Sequence, residues 1–214
     1  FGSMNYTEQE HFAAELVATV FLKTFSVWFS EAAKEKNISQ LSPEDLVLLV
    51  QNSLPQFNFI PGNHDLWQER DAHTPLDVFY SRLIDLLSHH IGKTFAEKHA
   101  PFFDLHSTIK NCINLHPDYA ARVVLPSGVP VAMQHPHMGR AQTTSLRAQH
   151  AIGFLKCAVS AIANFHAATI VHKWRPNLGQ CVAVQIGTQA IYTRFERRKM
   201  KREVDFGPVL LRVF

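Results

Sequence analysis

Apolar side chains recur at helical spacing through the first half of the chain and at strand spacing only beyond residue 120. Phe12, Leu16, Val20, Phe21, Phe25, Trp28 and Phe29 follow a helical period, which predicts a long first helix ending near Lys36. Thr7 and Glu10, three residues apart, read as its capping box, in which hydroxyl and carboxylate satisfy free N–H groups at the helix start. Ser42-Pro43-Glu44-Asp45 opens a second helix: the serine caps, the proline suits the first turn, and the acids face the positive end. That helix is expected to stop before Pro55. Residues 55–74, rich in Pro, Asn and Asp, read as a loop. Thr74-Pro75-Leu76-Asp77 repeats the start signal, and Leu76, Tyr80, Leu83, Ile84, Leu87 and Ile91 line a third helix, with Gly92 as its end or its weak point. A less periodic helical stretch is expected from Phe102 to Leu115.

The pattern then changes. Arg122 to Leu125 and Val129 to Met133 flank Pro126-Ser127-Gly128, two short β-runs around a turn, with Pro130 expected to confine its strand to a sheet edge. From Ala141 to about Thr169, Leu146, Phe154, Cys157, Ala161, Ile162 and Phe165 form a stripe that predicts one long, closely packed helix. After Pro176, strands are expected over Gln180 to Ile186, Ala190 to Phe195 and Val209 to Phe214, with Gly187-Thr188-Gln189 as a turn. The class implied is α+β, mainly helical, with long N-terminal helices and a small antiparallel sheet in the C-terminal half. Residues 4–116 read as an acidic helical region and residues 117–214 as a basic α/β region, in two domains or one compact domain. Phe1 to Ser3 read as a leftover of expression ahead of Met4.

Composition narrows the class. With 46% hydrophobic and 18% charged residues in 214, the chain is a folded globular protein rather than a disordered one. Its sixteen Phe are expected to fill space between helices. Cys112, Cys157 and Cys181 are odd in number and lack a CxxC pair, which argues against a disulfide framework or a zinc ribbon and for a reducing, cytoplasmic or otherwise intracellular setting. No secretory signal follows Met4. The apolar run Ala151 to Val171 is broken by Lys156, Asn164 and His166, so a buried helix is expected there and no membrane contact.

Charge carries the functional expectation. Residues 1–104 hold seven Lys/Arg against fourteen Asp/Glu, and residues 105–214 hold fourteen against four. The basic excess peaks at Arg194, Arg197, Arg198, Lys199, Lys201 and Arg202, six cations in nine positions. Such a cluster would meet phosphates along a backbone and release counterions on binding. Lys173 and Arg175 support it, Arg140 and Arg147 add charge without neighbouring acids, and Trp174, Tyr192 and Phe195 offer ring faces for bases. The function expected is a non-enzymatic nucleic-acid-binding protein, of DNA or RNA, or an assembly protein with a basic C-terminal surface. The alternative is an interaction or oligomerisation module in which acidic and basic faces of copies or partners meet.

Two short strings resemble enzyme motifs. Gly62-Asn63-His64-Asp65 resembles the calcineurin-like metallophosphoesterases, whose Asn and His would face paired metals, although the family's upstream DxH is missing and Asp104-Leu105-His106 comes after it. Ser88-His89-His90 resembles the centre of the HD-domain phosphohydrolase signature, with His90 where a metal-bridging Asp belongs. A metal-dependent phosphohydrolase using His64, Asp65 or the His89/His90 pair is therefore the third expectation. His135-Pro136-His137 reads as a surface loop that could join His106, His116 or His150 in a nitrogen-rich metal site only through the fold. Cys112 and Cys157 read as small core residues, and neither a P-loop nor a GxGxxG is present. No cofactor, metal site or catalytic residue is expected.

Overall fold

The computed structural model describes residues 5–34, 36–62, 74, 76–99, 104–118, 120–136, 145–163, 167–187 and 209–212. Two compact units emerge: Phe1–Phe59 with Gln68–Leu115, and Ile60–Trp67 with His116–Phe214. The first is helical and the second is built on a sheet, so the chain is α+β.

In the first unit, α1 (Tyr6–Ala33) is capped by Asn5, whose side chain accepts from the Glu8 N–H while Glu8 reaches back to Asn5. The capping box thus starts two residues before the expected one. Glu10 serves elsewhere. It is 5% exposed and accepts from the Phe79 N–H at 3.2 Å, in the first turn of α3 (Asp77–His99). A carboxylate on one helix thereby satisfies a free donor at the positive end of another. α2 (Pro43–Ser53) starts as expected, with Ser42 accepting from Asp45 N–H.

The loop expected over residues 55–74 contains β1 (Phe57–Phe59), which pairs in parallel with β2 (Ile113–Leu115). β2 follows directly on α4 (Leu105–Cys112) and shortens the helix expected there. Local composition around the prolines hid a strand whose partner lies more than fifty residues on. α3 runs through Gly92 without ending. A Cβ there would sit 3.5 Å from Leu105 Cδ2, in ordinary contact. Ala14, Phe21 and Phe25 of α1 pack with Val50 of α2, Leu83, Leu87 and Ile91 of α3, and Ile109 of α4. Burial of such side chains stabilises by roughly 1.5–3 kcal/mol each. Phe21 and Phe57 meet edge to face at 5.2 Å, as do Phe59 and Phe79 at 5.0 Å.

α1 also has an outward apolar face. Phe12, Leu16, Val20, Val27 and Trp28 are between 36% and 60% exposed. By length and composition this helix is long and apolar enough to cross a membrane.

The second unit carries a five-stranded sheet in the order β3-β4-β5-β7-β6. Its strands are β3 (Ala120–Val124), β4 (Pro130–Gln134), β5 (Val159–Ile162), β6 (Thr169–Arg175) and β7 (Gly179–Gln185). β3–β4 and β6–β7 are antiparallel hairpins, whereas β4–β5 and β5–β7 are parallel. The sheet is therefore mixed, not antiparallel as expected. The cause is α5 (Leu146–Leu155), which follows β4 and precedes the parallel strand β5; parallel neighbours require a crossover of this kind.

The long helix expected over residues 141–169 holds two described elements, α5 and β5, and β6 begins only at Thr169. α5 ends at Lys156, in the left-handed conformation (φ 51°, ψ 40°), and β5 and β6 follow. β5 is central, paired with β4 on one side and β7 on the other, and its four residues Val159-Ser160-Ala161-Ile162 are too few to show a strand period inside an apolar stretch. Pro130 lies on an interior strand rather than an edge. As the first residue of β4 it precedes the stretch from Val131 that pairs with β5, where a missing N–H is tolerated. Both hairpin turns place proline second, at Pro126 and Pro176, and glycine in the left-handed region, at Gly128 (φ 81°) and Gly179 (φ 71°). Residues 209–212 form no strand, and the strand expected over Ala190 to Phe195 lies outside the described residues.

Candidate nucleic-acid interface

From Tyr119 to Phe195 the sequence contains no Asp or Glu, and this acid-free stretch supplies all five strands of the sheet and α5. A protein domain with cations and almost no acids maintains a positive potential over its surface. Arg122, Lys156 and Lys173 are exposed, and no carboxylate among the described residues is within ion-pairing distance of them. The ion pairs found, Lys34–Glu31 and Arg82–Glu15, both lie in the helical unit. Arg147, in the first turn of α5, is held below its ordinary value by burial, as expected of a cation taken partly out of water.

β6 is the sheet edge that places two of the expected phosphate contacts. Alternation along the strand puts Val171, Lys173 and Arg175 on one face and Ile170, His172 and Trp174 on the other. The first face is the one covered by α5, because Val171 packs with Ala148, Ile152, Cys181 and Ala183. Lys173 lies beyond this cover and is exposed. Arg175 is half-buried, and its Nη2 donates to Gly153 O at 3.3 Å. Gly153 is in the last turn of α5, where free carbonyls concentrate negative charge. Arg175 therefore stabilises the end of α5 with part of its guanidinium, a role its charge alone did not disclose.

On the opposite face the Trp174 ring is 71% exposed. It rests against Gly179, where a Cβ would lie 3.9 Å from Cζ3 and Cη2. The hairpin therefore presents a large indole at an open edge, with His172 exposed on the same face. Gln185, 1% exposed, donates from Nε2 to Ala167 O at 2.7 Å and ties the connection before β6 to the end of β7.

Arg194, Arg197, Arg198, Lys199, Lys201 and Arg202 lie outside the described residues, as do Arg140, Tyr192 and Phe195. Arg122 and Lys156 join the exposed cations, and the absence of acids between residues 119 and 195 is their signal in the sequence.

The enzyme-like strings find no assembled centre among the described residues. Asn63, His64 and Asp65 lie outside them. His89 and His90 sit within α3 rather than at a helix end, both exposed, with ring centroids 5.6 Å apart. His135 follows β4, and His137 is outside the described residues. No group of three or more His, Cys, Asp or Glu side chains poised for a metal occurs among the described residues. Cys112, Cys157 and Cys181 are buried free thiols, with burial pushing Cys112 above its ordinary value.

A small cleft of about 170 Å³ opens in the helical unit, lined by Tyr80, Ser81, Ile84, Asp85, His106 and Lys110. His106 Nδ1 lies 3.3 Å from Ser88 Oγ. Tyr80 donates to Ile113 O at 3.3 Å, and desolvation raises its hydroxyl above the ordinary value. Among the described residues, no third side chain joins the Ser88–His106 pair to orient the imidazole.

No family model, curated protein or solved structure matches this chain.

Proposed function

We propose that the protein binds nucleic acid without catalysing a reaction, through the basic sheet unit. The observation that carries this reading is the acid-free stretch from Tyr119 to Phe195 folded into one sheet, with Lys173 and an exposed Trp174 on its edge strand. Phosphates would be met by Lys173, by the guanidinium nitrogens of Arg175 not used at α5, and by Arg194, Arg197, Arg198, Lys199, Lys201 and Arg202. An open indole supplies a stacking surface that any base can use, which favours single strands over duplex. Binding of DNA and RNA oligonucleotides is measured across a salt series. Six to eight phosphate contacts give a slope of log K against log salt of about −4 to −7. Charge reversal at Arg197 and Arg198 is expected to flatten this slope. An intact protein with no salt-sensitive binding, or unchanged binding after that reversal, ends the proposal.

A second reading is supported by how charge divides between the units. The helical unit holds eight Lys/Arg against thirteen Asp/Glu and the sheet unit thirteen against five. Opposite faces of two copies, or of this chain and a partner, would then attract. Assembly of this kind dissolves at high salt, which light scattering at two salt concentrations detects.

A further inference from the structure

We infer that the cleft between α3 and α4 is a binding site for a small zwitterion, a free α-amino acid with an apolar side chain. Both walls belong to the helical unit, so the site does not rest on the nucleic-acid reading. Ser81, Ile84 and Asp85 line it from one side of α3, and His106 and Lys110, four residues apart and therefore one turn from each other, line it from α4. A hydrogen bond ties the walls together at each end. Ser88 Oγ lies 3.3 Å from His106 Nδ1, and about two turns back along α3 Tyr80 donates at 3.3 Å to Ile113 O, just past the end of α4. These two bonds fix the spacing of the antiparallel helices, so the cleft is formed before any ligand arrives. Ile84, 3% exposed, gives it an apolar floor.

The charges on the two walls select the ligand. Asp85 stands on the α3 side and Lys110 on the α4 side. Both are exposed, and among the described residues neither forms an ion pair, with the other or with a third group. Opposite charges thus line one cleft and stay apart across it. A molecule that carries an ammonium and a carboxylate on one carbon satisfies both, the ammonium at Asp85 and the carboxylate at Lys110. His106 strengthens the carboxylate side: its Nδ1 is engaged at Ser88, which leaves Nε2 as the ring nitrogen open to a ligand. A simple anion would meet the Asp85 carboxylate with nothing to neutralise it, and a simple cation would meet Lys110 in the same way. Size points in the same direction. The volume of about 170 Å³ is that of roughly six waters, enough for one amino acid and too little for a peptide or a nucleotide. The Ile84 floor favours an aliphatic side chain on that amino acid.

The test uses the full chain with L-leucine, L-valine and L-methionine as probes, followed by isothermal titration and saturation-transfer NMR. Two analogues of leucine separate its charges: leucinamide lacks the carboxylate and N-acetyl-leucine lacks the ammonium. Leucine is expected to bind, and each analogue to bind roughly three- to tenfold more weakly, the loss of one charge-assisted contact at an exposed site. Asp85→Asn is expected to bring leucine down to the level of N-acetyl-leucine and to leave N-acetyl-leucine itself unchanged. Lys110→Met is expected to bring leucine down to the level of leucinamide and to leave leucinamide unchanged. Both positions are exposed, so circular dichroism and melting temperature are expected to match wild type; the analogue series on the unaltered chain decides alone if a variant melts early. No binding of any of the three amino acids at millimolar concentration, equal binding of leucine and its analogues, or full leucine affinity in either folded variant overturns the inference. Binding of inorganic phosphate in place of leucine also overturns it, since that marks an anion site.

Discussion

At the scale of single residues, carboxylates decide where helices begin, and not always their own helix. Glu10 sits on α1 but caps α3. Glu10→Ala leaves the buried Phe79 N–H without its acceptor and is expected to destabilise by about 1–3 kcal/mol in urea unfolding; Glu10→Gln, which keeps an acceptor oxygen, is expected to lose less. Asp104 caps α4 locally, accepting from Ser107 Oγ at 2.6 Å and from Ser107 N–H at 3.0 Å. Those bonds, first from the Ser107 hydroxyl and then from its backbone, hold the Asp104 carboxyl below the ordinary 3.8. Because the folded-state value is depressed, its contribution is fully present above the unfolded value and is lost as pH falls through the folded one. Asp104→Ala is therefore expected to lower the melting temperature at neutral pH, and the gap from wild type to close below pH 3.8. The sequence placed the start of that helix at Phe102 and so missed the Asp104 cap, and it could not supply the partner of Glu10, which lies 69 residues away.

At the scale of elements, helices with a buried face and local caps were readable and the central sheet was not. α2 announced itself through Ser42 and Pro43, and the β3–β4 hairpin through Pro126-Ser127-Gly128. α5 and β5 read as one helix because a four-residue strand inside an apolar stretch is too short to show its own period. The break is Lys156, held in the left-handed region where a Cβ crowds the backbone. Lys156→Gly removes this crowding and is expected to stabilise by about 1 kcal/mol, read as a rise in melting temperature. β6 escaped notice for a different reason. His172, Lys173 and Arg175 interrupt its apolar alternation, as polar residues do on edge strands that must not pair with other chains. The strand that matters most to the proposed binding is thus the one its own composition disguised. Trp174→Ala is expected to weaken single-strand binding by about 1–3 kcal/mol and to leave duplex binding nearly unaffected.

At the scale of the whole molecule, charge and apolar surface belong to different units. The acid-free stretch confers its potential on the sheet unit, and the exposed apolar side chains of α1 belong to the helical unit. The proposed binding of nucleic acid is accordingly expected to fall steeply with salt, which titrations across a salt series resolve. Residues close in the chain set the acidic-to-basic division, the run without acids, the first three helices and the Pro126-Ser127-Gly128 turn, and these were legible without the fold. Tertiary structure decided the parallel pairing of β4, β5 and β7, the interior place of Pro130, the capping of α3 by Glu10 and the use of Arg175 at the end of α5. These features rest on contacts between distant segments, and no local pattern of residue types fixes which distant surface a side chain will meet.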